Sequence, residues 1–197
     1  VIMLEGKKVL LVITGGIAAY KSLELIRLLQ INKASVVPVM TKSAQQFLKP
    51  LSVAAIAGSK VYTELFDLTA ESEMGHIELS RSADIILVAP ASADFLSKMA
   101  QGICDDLATT ILLATDTPVL VAPSMNVRMW HHPATQRNMH AINSDGILTV
   151  GPNEGDMACG EFGHGRMAEP AEITTFLDNY FKVGPLSGKR IIVTSGT

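Results

Sequence analysis

Short apolar runs alternate with amphipathic stretches along most of the chain. The first run, at 8–14 (KVLLVIT), is continuous and ends at two glycines, which is typical of a strand buried on both faces of a sheet. Similar runs predict strands at the following segments: 35–40, 85–89, 118–122 and 146–150. Pro38 interrupts the second run and indicates an edge strand, because proline lacks the N–H that an interior strand uses.

The amphipathic segments between these runs predict helices. In residues 17–30, Leu23, Ile26 and Leu29 recur at three-residue spacing with Tyr20 near the start, which predicts one helical face. The other predicted helices are a stretch after Pro90 that runs through Leu96 and Met99, and the segments 41–48, 51–57, 105–114, 133–143 and 171–181. Strands that alternate with helices predict an α/β fold of the Rossmann-like (flavodoxin-like) type, a parallel sheet with helices on both faces.

The predicted strand ends carry small and hydroxyl-bearing residues, at 14–16, 40–41, 89–92 and 122–126. In parallel sheets, ligands bind beyond the carboxyl ends of the strands. We therefore expect one crevice to gather all of these strand ends.

Residues 151–170 break the alternation of strands and helices. This segment has five glycines, shows no periodicity and contains Cys159, His164 and Arg166. Because irregular segments of this length are usually disordered or functional, we predict a functional flap here.

The composition narrows the possible classes of function. The 197 residues are 48% hydrophobic and 18% charged, which excludes a disordered tail and a fibrous protein. The formal net charge of -3 lacks the basic surplus of a nucleic-acid-binding protein, so no nucleic-acid partner is expected. No apolar run reaches the roughly 18 residues of a membrane span. With only two cysteines, we expect a cytoplasmic protein in a reducing compartment, with no membrane partner.

The last residues repeat the pattern of the first ones. Residues 188–196 (GKRIIVTSG) follow the same order of glycine, basic residues, apolar run and turn as residues 6–15 (GKKVLLVITG). The simplest interpretation is a second nucleotide-binding type of domain that starts near Lys189. We therefore predict one domain at 1–184, and at 185–197 a linker with the first strand of a truncated domain.

The turn after the first strand is a candidate phosphate site. Residues 14–19 (TGGIAA) lie where a strand leads into a helix, and the free N–H groups of a helix start favour an anion. The segment is not GxGxxG and lacks the Lys-Ser/Thr ending of a triphosphate loop, so a tight structural turn explains it equally well. Ser43 either donates a further hydroxyl to a ligand or caps a helix.

Histidines supply a second group of candidates. His76 opens a predicted helix after an irregular stretch, where it is either catalytic or structural. His131 and His132 are adjacent, so they do not share a helix face, and no Cys or carboxylate stands at ligand spacing. No metal site is predicted.

Asn126 and the cysteines complete the candidates. Asn126 follows a predicted strand end, where it either caps the next turn or presents its amide to a ligand carboxylate. Cys159 lies among glycines on a predicted loop, so packing does not explain it. Cys104 is expected to be a small buried side chain.

Several motifs together closely resemble those of the flavin-dependent cysteine decarboxylases. They are TGGIAAYK at 14–21, GHIELS at 75–80, PASAD at 90–94, PSMNVRMW at 123–130 and ACGEFGHGRM at 158–167. Within that family the chain is most similar to phosphopantothenoylcysteine decarboxylases, which in bacteria are joined to a ligase. Residues 189–197 are similar to the start of the ligase half. Many family members carry Ala-Asn where this chain has Ala93 and Asp94.

The resemblance implies FMN-dependent conversion of phosphopantothenoylcysteine to 4′-phosphopantetheine in coenzyme A biosynthesis. Oxidation of the substrate CH₂–SH to a thioaldehyde by the flavin creates an electron sink beside the carboxylate. Carbon dioxide then leaves to give an enethiolate, and the hydride returns while an acid protonates the neighbouring carbon. Because only the first strand of the ligase is present, no ligase activity is expected.

The resemblance also implies roles for individual residues. His76 would act in oxidation and decarboxylation, Asn126 would hold the departing carboxylate, and Cys159 would supply the final proton. Contacts to FMN are implied for Gly15, Gly16, Ile17, Ala18, Ser43, Ser92, Ala93 and Asp106. Contacts to substrate are implied for Asn126, Met129, Gly160, Arg166 and Met167.

The family further implies a homotrimer with the active site between subunits, and four trimers assemble into a dodecamer in the bifunctional members.

Three alternatives compete with the decarboxylase hypothesis. Flavin prenyltransferases share the architecture but would not need a flap of the Cys159 type. Some eukaryotic relatives regulate phosphatases, and they carry long charged tails that this sequence lacks. The third alternative is a nucleotide-binding domain without flavin.

Overall fold

The apolar runs form the strands of one parallel sheet. The computed structural model describes residues 3–64 and 75–182, except for the side chains of His76 and Ile77. The strands of the sheet are β1 Lys8–Ile13, β2 Ser35–Met40, β3 Ile85–Ala91, β4 Val119–Pro123 and β5 Leu148–Thr149. Their spatial order is β2-β1-β3-β4-β5, and each neighbouring pair is parallel. Flavodoxin-like sheets have this order, so the predicted fold class is confirmed.

Helices connect the strands and cover the sheet. Their bounds are α1 Lys21–Ile31, α2 Pro50–Ala57, α3 Gly75–Arg81, α4 Ala93–Gln101, α5 Leu107–Ala114, α6 Val127–His131, α7 Pro133–Ser144 and α8 Pro170–Lys182. Short 3-10 turns precede α1 and α2 in the chain, at Ile17–Tyr20 and Ala44–Gln46.

Alternate residues of the strands enter two hydrophobic clusters, one on each face of the sheet. On β1, Val9, Leu11 and Ile13 pack in the cluster that contains buried residues of α1, α2 and α8. Leu10 and Val12 pack in the other cluster, with α4, α5 and α7. Both faces of the strand are therefore buried, as the continuous apolar run predicts.

The edge strand and the first helix show where local patterns succeed and fail. Pro38 lies on β2 at the sheet edge, as predicted. The N–H groups of Ser35 and Thr41 face β1, while the nitrogen of Pro38 faces the opposite side, away from β1.

The predicted helix at 17–30 is instead a 3-10 turn followed by α1. Tyr20 at their junction is 58% exposed, so it does not share the face on which Ile26 and Leu29 are buried.

The other boundary differences lie at segment ends. The predicted helix at 41–48 is reduced to the 3-10 turn Ala44–Gln46, and the strand predicted at 146–150 narrows to β5. The 3-10 turn is set by local bonds from the Gln46 and Phe47 N–H groups to the Ser43 and Ala44 carbonyls, and β5 is set by its short pairing with β4. Apolar periodicity registers neither of these hydrogen-bonding patterns.

Residues 151–170 contain a hairpin rather than an irregular loop. Strands β6 Asn153–Asp156 and β7 Phe162–Arg166 pair antiparallel. A side chain at Gly163 would meet Val127, and one at Gly165 would meet the Met125 carbonyl. The glycines let the hairpin approach the end of β4 closely, and for the same reason the strands show no apolar alternation.

Some predictions fall on residues outside the described set. The linker and truncated domain at 185–197 lie there, as do the side chain of His76 and most of the irregular stretch before it. Within residues 3–64 and 75–182, no helix combines the length and apolar character needed to cross a bilayer.

We expect Leu87→Ala to lower the free energy of unfolding by about 2–5 kcal/mol, because it leaves a cavity in a well-packed core. Leu87 lies on β3, the central strand, and is 0% exposed. Leu51→Ala is the matched control, since Leu51 is 81% exposed on α2, and we expect it to change the same quantity by less than about 0.5 kcal/mol. Denaturant unfolding followed by circular dichroism measures both, and equal losses would contradict the assigned core.

Candidate active site

A cavity of about 600 Å³ opens at the carboxyl ends of β1, β2, β3 and β4. All of the strand ends expected to share a crevice contribute to it. The residues that line it are Thr14, Gly15, Gly16, Thr41, Lys42, Ser43, Phe47, Ser92, Ala93, Asp94, Phe95, Lys98, Asp105, Asp106, Ser124, Met125 and Met129. The volume is within the usual range for a site that binds a small molecule or cofactor.

A buried hydroxyl ties two of these strand ends together. The Thr14 side chain is 1% exposed, and its Oγ1 donates to the Pro90 carbonyl at 2.6 Å. The same Oγ1 accepts the Ser92 backbone N–H at 3.0 Å. Ser92 Oγ in turn accepts the Phe95 N–H at 3.2 Å and caps α4. The start of α4 is thereby held against the end of β1.

The glycine pair after β1 lines the first cavity. A Cβ on Gly15 would lie 2.6 Å from Ser43 Cβ, so the turn after β1 packs directly on the turn after β2. Gly16 has φ +147° and open space where a side chain would begin. Ser43 starts a 3-10 turn without a capping hydrogen bond from its side chain, so the alternative of a simple cap is wrong.

One wall of the first cavity carries a cation between two carboxylates. Lys98 Nζ lies 3.4 Å from Asp94 Oδ2 and 3.2 Å from Asp105 Oδ2. Although burial lowers the pKa of Lys98, the hydrogen bond to Asp105 and the charges of both carboxylates outweigh this effect and raise it. Asp94, where this chain departs from the family pattern, therefore contacts Lys98.

Asp106 is held in the same wall by a capping box. Its side chain accepts the Thr109 backbone N–H at 2.8 Å at the start of α5, and Thr109 Oγ1 accepts the Asp106 N–H at 3.1 Å. The backbone N–H groups of Asp106 and Thr109 both have acceptors, which fixes Asp106 at the edge of the first cavity.

A second cavity of about 500 Å³ adjoins the first and shares Gly16, Ser124 and Met125 with it. Its lining residues are Gly16, Ile17, Ala18, Tyr20, Lys21, Ser124, Met125, Asn126, Asp156, Met157, Ala158, Cys159, Gly165, Arg166 and Met167. The hairpin therefore forms one side of this cavity, which supports the prediction of a flap. Gly160 lies at the turn of the hairpin and is not among the lining residues of either cavity.

Asn126 and Cys159 meet at the second cavity. The Asn126 Nδ2 group donates to Cys159 Sγ at 3.3 Å, and Cys159 is exposed. Asn126 Oδ1 accepts the backbone N–H of Arg128 at 2.8 Å, so Asn126 caps α6 and presents its amide at the same time. Because Oδ1 accepts the Arg128 N–H, the two N–H groups of Nδ2 face the hairpin.

Glu161 joins this pair, and the sequence analysis missed it. Asn126 Nδ2 donates to Glu161 Oε2, and Arg128 Nε donates to Glu161 Oε1 at 3.0 Å. The Cys159 thiol lies 3.6 Å from Glu161 Oε2. The position of Glu161, two residues after Cys159, was the signal available in the sequence, since alternate residues near a tight turn are close in space.

These contacts lower the pKa of Glu161. The hydrogen bond from Asn126 is the largest cause; loss of water opposes it, and the hydrogen bond and charge of Arg128 and the Cys159 thiol add to the lowering. Glu161 is therefore a carboxylate at neutral pH, bound to the amide that the family resemblance assigns to a substrate carboxylate.

A buried cation lies on the other side of the second cavity. Lys21 is 8% exposed, and its Nζ donates to Glu169 Oε1 at 2.7 Å. Arg166 Nη2 donates to the same oxygen at 3.3 Å. Arg166 also lies over Gly155, where a side chain would collide with it. Glu169 thus holds two cations in place along this wall.

The remaining candidates lie elsewhere. His131 contacts His164 edge to face, and His132 Nδ1 accepts the Ala134 N–H and caps α7. In the part of the chain that the structure describes, no group of three or more His, Cys, Asp or Glu side chains is placed to hold a metal ion. Cys104 is exposed in the connection between α4 and α5, so the expectation of a buried thiol was wrong.

Comparison with known proteins identifies the family. The family model described as Flavoprotein matches residues 2–182. The chain belongs to this flavoprotein family. The coenzyme A biosynthesis bifunctional protein CoaBC of Vibrio cholerae serotype O1 is 48% identical over 193 residues, which are 98% of this chain and 48% of that protein. The chain therefore spans about half the length of the curated relatives it matches.

Solved structures agree with this assignment. A cysteine-to-serine mutant of PPC decarboxylase, complexed with pantothenoylaminoethenethiol, matches with a TM-score of 0.82 and 36% identity, over 89% of this chain and 98% of that chain. The FMN binding protein AtHal3 matches with a TM-score of 0.80 and 36% identity, over 90% of this chain and 98% of that chain.

The first cavity fits a flavin. It offers the glycine turn before α1, the hydroxyls of Thr41 and Ser43, and the apolar side chains of Phe47 and Met129. Such a mixture of backbone donors, hydroxyls and apolar surface suits a phosphorylated aromatic cofactor.

We expect the carboxyl of Glu161 to titrate below the ordinary value of 4.5, because its charged form accepts hydrogen bonds from Asn126 and Arg128. A group with a lowered folded pKa contributes stability above its unfolded pKa and loses it as the pH falls through the folded value. Carbon-13 NMR of the carboxyl measures the midpoint, and in Asn126→Ala the midpoint should rise towards 4.5. A wild-type midpoint at or above that value would contradict the contact.

We expect Gly15→Ala to weaken flavin binding by on the order of tenfold or more, since overpacking costs about 1–3 kcal/mol. The added Cβ would press on Ser43 at 2.6 Å and shift a turn that lines the cavity. Gly58→Ala is the control for strain away from the cavity: at φ +64° an alanine is strained although its Cβ would meet open space, so it should lower stability and leave flavin affinity unchanged. Fluorescence titration with riboflavin phosphate measures both variants, and an unchanged affinity in Gly15→Ala would remove this turn from the flavin site.

Proposed function

We propose that this chain binds FMN and decarboxylates phosphopantothenoylcysteine to 4′-phosphopantetheine in coenzyme A biosynthesis. The observation that carries the proposal is the contact between the Asn126 amide and the Cys159 thiol beside a cavity that suits a flavin. FMN, when bound, supplies reversible hydride transfer at the substrate CH₂–SH carbon, without which loss of the carboxylate would leave an unstabilised carbanion.

The first cavity supplies the cofactor-binding residues. Gly15, Gly16 and Ser43 line it beside the turn before α1, where backbone N–H groups and a hydroxyl favour a phosphate. Ile17 and Ala18 continue this turn into the second cavity. The opposite wall, at the starts of α4 and α5, provides Ser92, Ala93 and Asp106 for the rest of the cofactor.

Asn126 holds the substrate carboxylate in this proposal. Its orientation is set by the Arg128 backbone N–H, which occupies Oδ1 and leaves the two Nδ2 hydrogens for acceptors. A carboxylate is the acceptor that such a donor pair binds best, because hydrogen bonds to a charged partner are stronger than neutral ones. Fixing the carboxylate also aligns the bond that breaks.

Cys159 supplies the proton in the last step. It is exposed at the hairpin turn, which the Met157 N–H closes by donating to the Glu161 carbonyl at 2.7 Å. The Asn126 contact holds the thiol at the second cavity. The solved PPC decarboxylase that lacks one cysteine contains an aminoethenethiol, a decarboxylated compound that has not been reduced. This supports a thiol as the donor in the reductive step.

His76 and the substrate contacts complete the assignment. His76 acts as base or charge stabiliser near the substrate thiol, a role that rests on the family resemblance. Met167 and Arg166 line the second cavity, Met129 lines the first, and Gly160 at the turn shapes the flap that covers the substrate.

Exposed apolar side chains support an assembly with the active site between subunits. Ile17 is 63% exposed and Tyr20 58% exposed at the second cavity, and Phe47 and Met129 are each 49% exposed at the first. Apolar side chains that surround an open site indicate that a further surface covers it. A homotrimer, built up to a dodecamer where the chain continues into a ligase half, meets that need. The exposed free thiols of Cys104 and Cys159 suit the reducing cytoplasm.

The proposal is tested by adding phosphopantothenoylcysteine to the yellow holoenzyme and following carbon dioxide and phosphopantetheine by mass spectrometry. Both products should form in equal amounts with no added reductant, because the flavin is returned to its starting state. A flavin-loaded protein that transfers a prenyl group to the flavin instead, and leaves this substrate unchanged, would replace the decarboxylase with the prenyltransferase alternative.

We expect Cys159→Ser to retain FMN and release carbon dioxide, and to accumulate the oxidised enethiol. The serine hydroxyl is too weak an acid to replace the thiol as proton donor, whereas the steps before protonation do not use it. Mass spectrometry separates the enethiol from phosphopantetheine by two hydrogens. Cys104→Ser is the matched control, because Cys104 is exposed and lines neither cavity, and it should form the normal product. Full product formation by Cys159→Ser would overturn the assigned role.

A further inference from the structure

Asn126 has no free donor in this structure. A primary amide has two N–H groups, and here Nδ2 donates to Glu161 Oε2 and to Cys159 Sγ. The Oδ1 atom is occupied by the Arg128 N–H. An incoming carboxylate therefore has to replace one of the two acceptors on Nδ2.

Glu161 is the acceptor that a carboxylate replaces. Its own carboxylate has the same charge and shape as the ligand group, so both compete for the same donor. Two carboxylates close to one amide also repel each other, which disfavours a shared arrangement. The Cys159 sulfur is a weak hydrogen-bond acceptor, and its thiol donates to Glu161 Oε2 at 3.6 Å, so it does not compete in this way.

The surroundings of Glu161 allow it to leave. Its side chain is 33% exposed on the hairpin, and Arg128, its partner through Oε1, is 85% exposed. Because the second oxygen already pairs with a cation near the surface, Glu161 can turn outward with Arg128 and keep its charge compensated. The contacts that Glu161 gives up, to Asn126 and to the Cys159 thiol, are made by its side chain, whereas the bond that closes the hairpin turn is made by its backbone carbonyl.

From these contacts we propose that Glu161 is a specificity-determining residue that occupies the carboxylate subsite on Asn126 and yields it only to a ligand with its own carboxylate. This inference rests on the proposed function, which assigns the Asn126 amide to the substrate carboxylate. A ligand that has lost its carboxylate cannot displace Glu161. The residue thus distinguishes the substrate from the decarboxylated product, and its return to Asn126 accompanies product release.

Two non-reacting ligands separate the carboxylate from the rest of the substrate. Phosphopantothenoylserine keeps the carboxylate but has a hydroxyl in place of the thiol, and phosphopantothenoylethanolamine lacks the carboxylate as well. Their dissociation constants from the FMN-loaded protein are measured by calorimetry for wild type, Glu161→Ala and Glu161→Gln. Glu154→Ala is the control, since it removes one negative charge from an exposed position of the same hairpin.

In Glu161→Ala we expect phosphopantothenoylserine to bind about five- to tenfold more tightly, because one charge-assisted hydrogen bond no longer competes. Glu161→Gln should give a smaller gain, since its neutral carbonyl competes less well. The ethanolamine ligand should change by less than about twofold in both variants, and neither ligand should respond to Glu154→Ala.

The outcomes separate this inference from the proposed function. If the serine ligand binds wild type and Glu161→Ala equally, or if both ligands gain equally, Glu161 does not guard the carboxylate subsite and the inference is wrong, while the decarboxylase proposal stands. If neither ligand binds FMN-loaded wild type, the proposed substrate is wrong and this inference fails with it.

Discussion

The arrangement of both cavities depends on how the ends of β1 and β3 are held together. Thr14 supplies a single buried hydroxyl that donates to the Pro90 carbonyl and accepts the Ser92 N–H. Without this hydroxyl the Ser92 N–H would lose its acceptor, at a cost of about 1–3 kcal/mol, whereas the Pro90 carbonyl would keep the Thr14 backbone N–H at 3.3 Å. The hydroxyl therefore holds the end of β1 against the chain that leads from β3 into α4, and Thr14 and Ser92 both line the first cavity.

Much of the fold could be predicted from apolar periodicity, because both faces of the sheet are buried. Leu11 and Val12 point to opposite faces, yet each is fully buried, so the run between Lys8 and Thr14 shows no polar interruption. The position of Pro38 likewise follows from its missing N–H. The ends of elements were predicted less well, since the apolar pattern does not distinguish the 3-10 turn at Ile17–Tyr20, where Tyr20 is exposed, from the helix that follows it.

Residues of the candidate site could be predicted only where a residue type that suits a ligand also follows a predicted strand end. Gly15, Ser43 and Ser92 follow strand ends, and the topology of a parallel sheet brings such positions together. Glu161 was missed because its importance comes from Asn126, which is 35 residues away in the chain. The hairpin was also missed, since Gly163 and Gly165 meet Val127 and Met125 through backbone contact and leave no apolar pattern to detect.

The wall that the two cavities share has a consequence for inhibitor chemistry. Among the residues that the structure describes, the two linings share Gly16, Ser124 and Met125 alone, so the spaces are neighbours rather than one chamber. Two weak fragments, one flat and aromatic and the other short and acidic, would fit on either side of this narrow boundary. A linker could join them by crossing at Gly16, where no side chain projects. Once one fragment is bound, the effective concentration of the other is high, so the joined molecule would bind far more tightly than either fragment does separately.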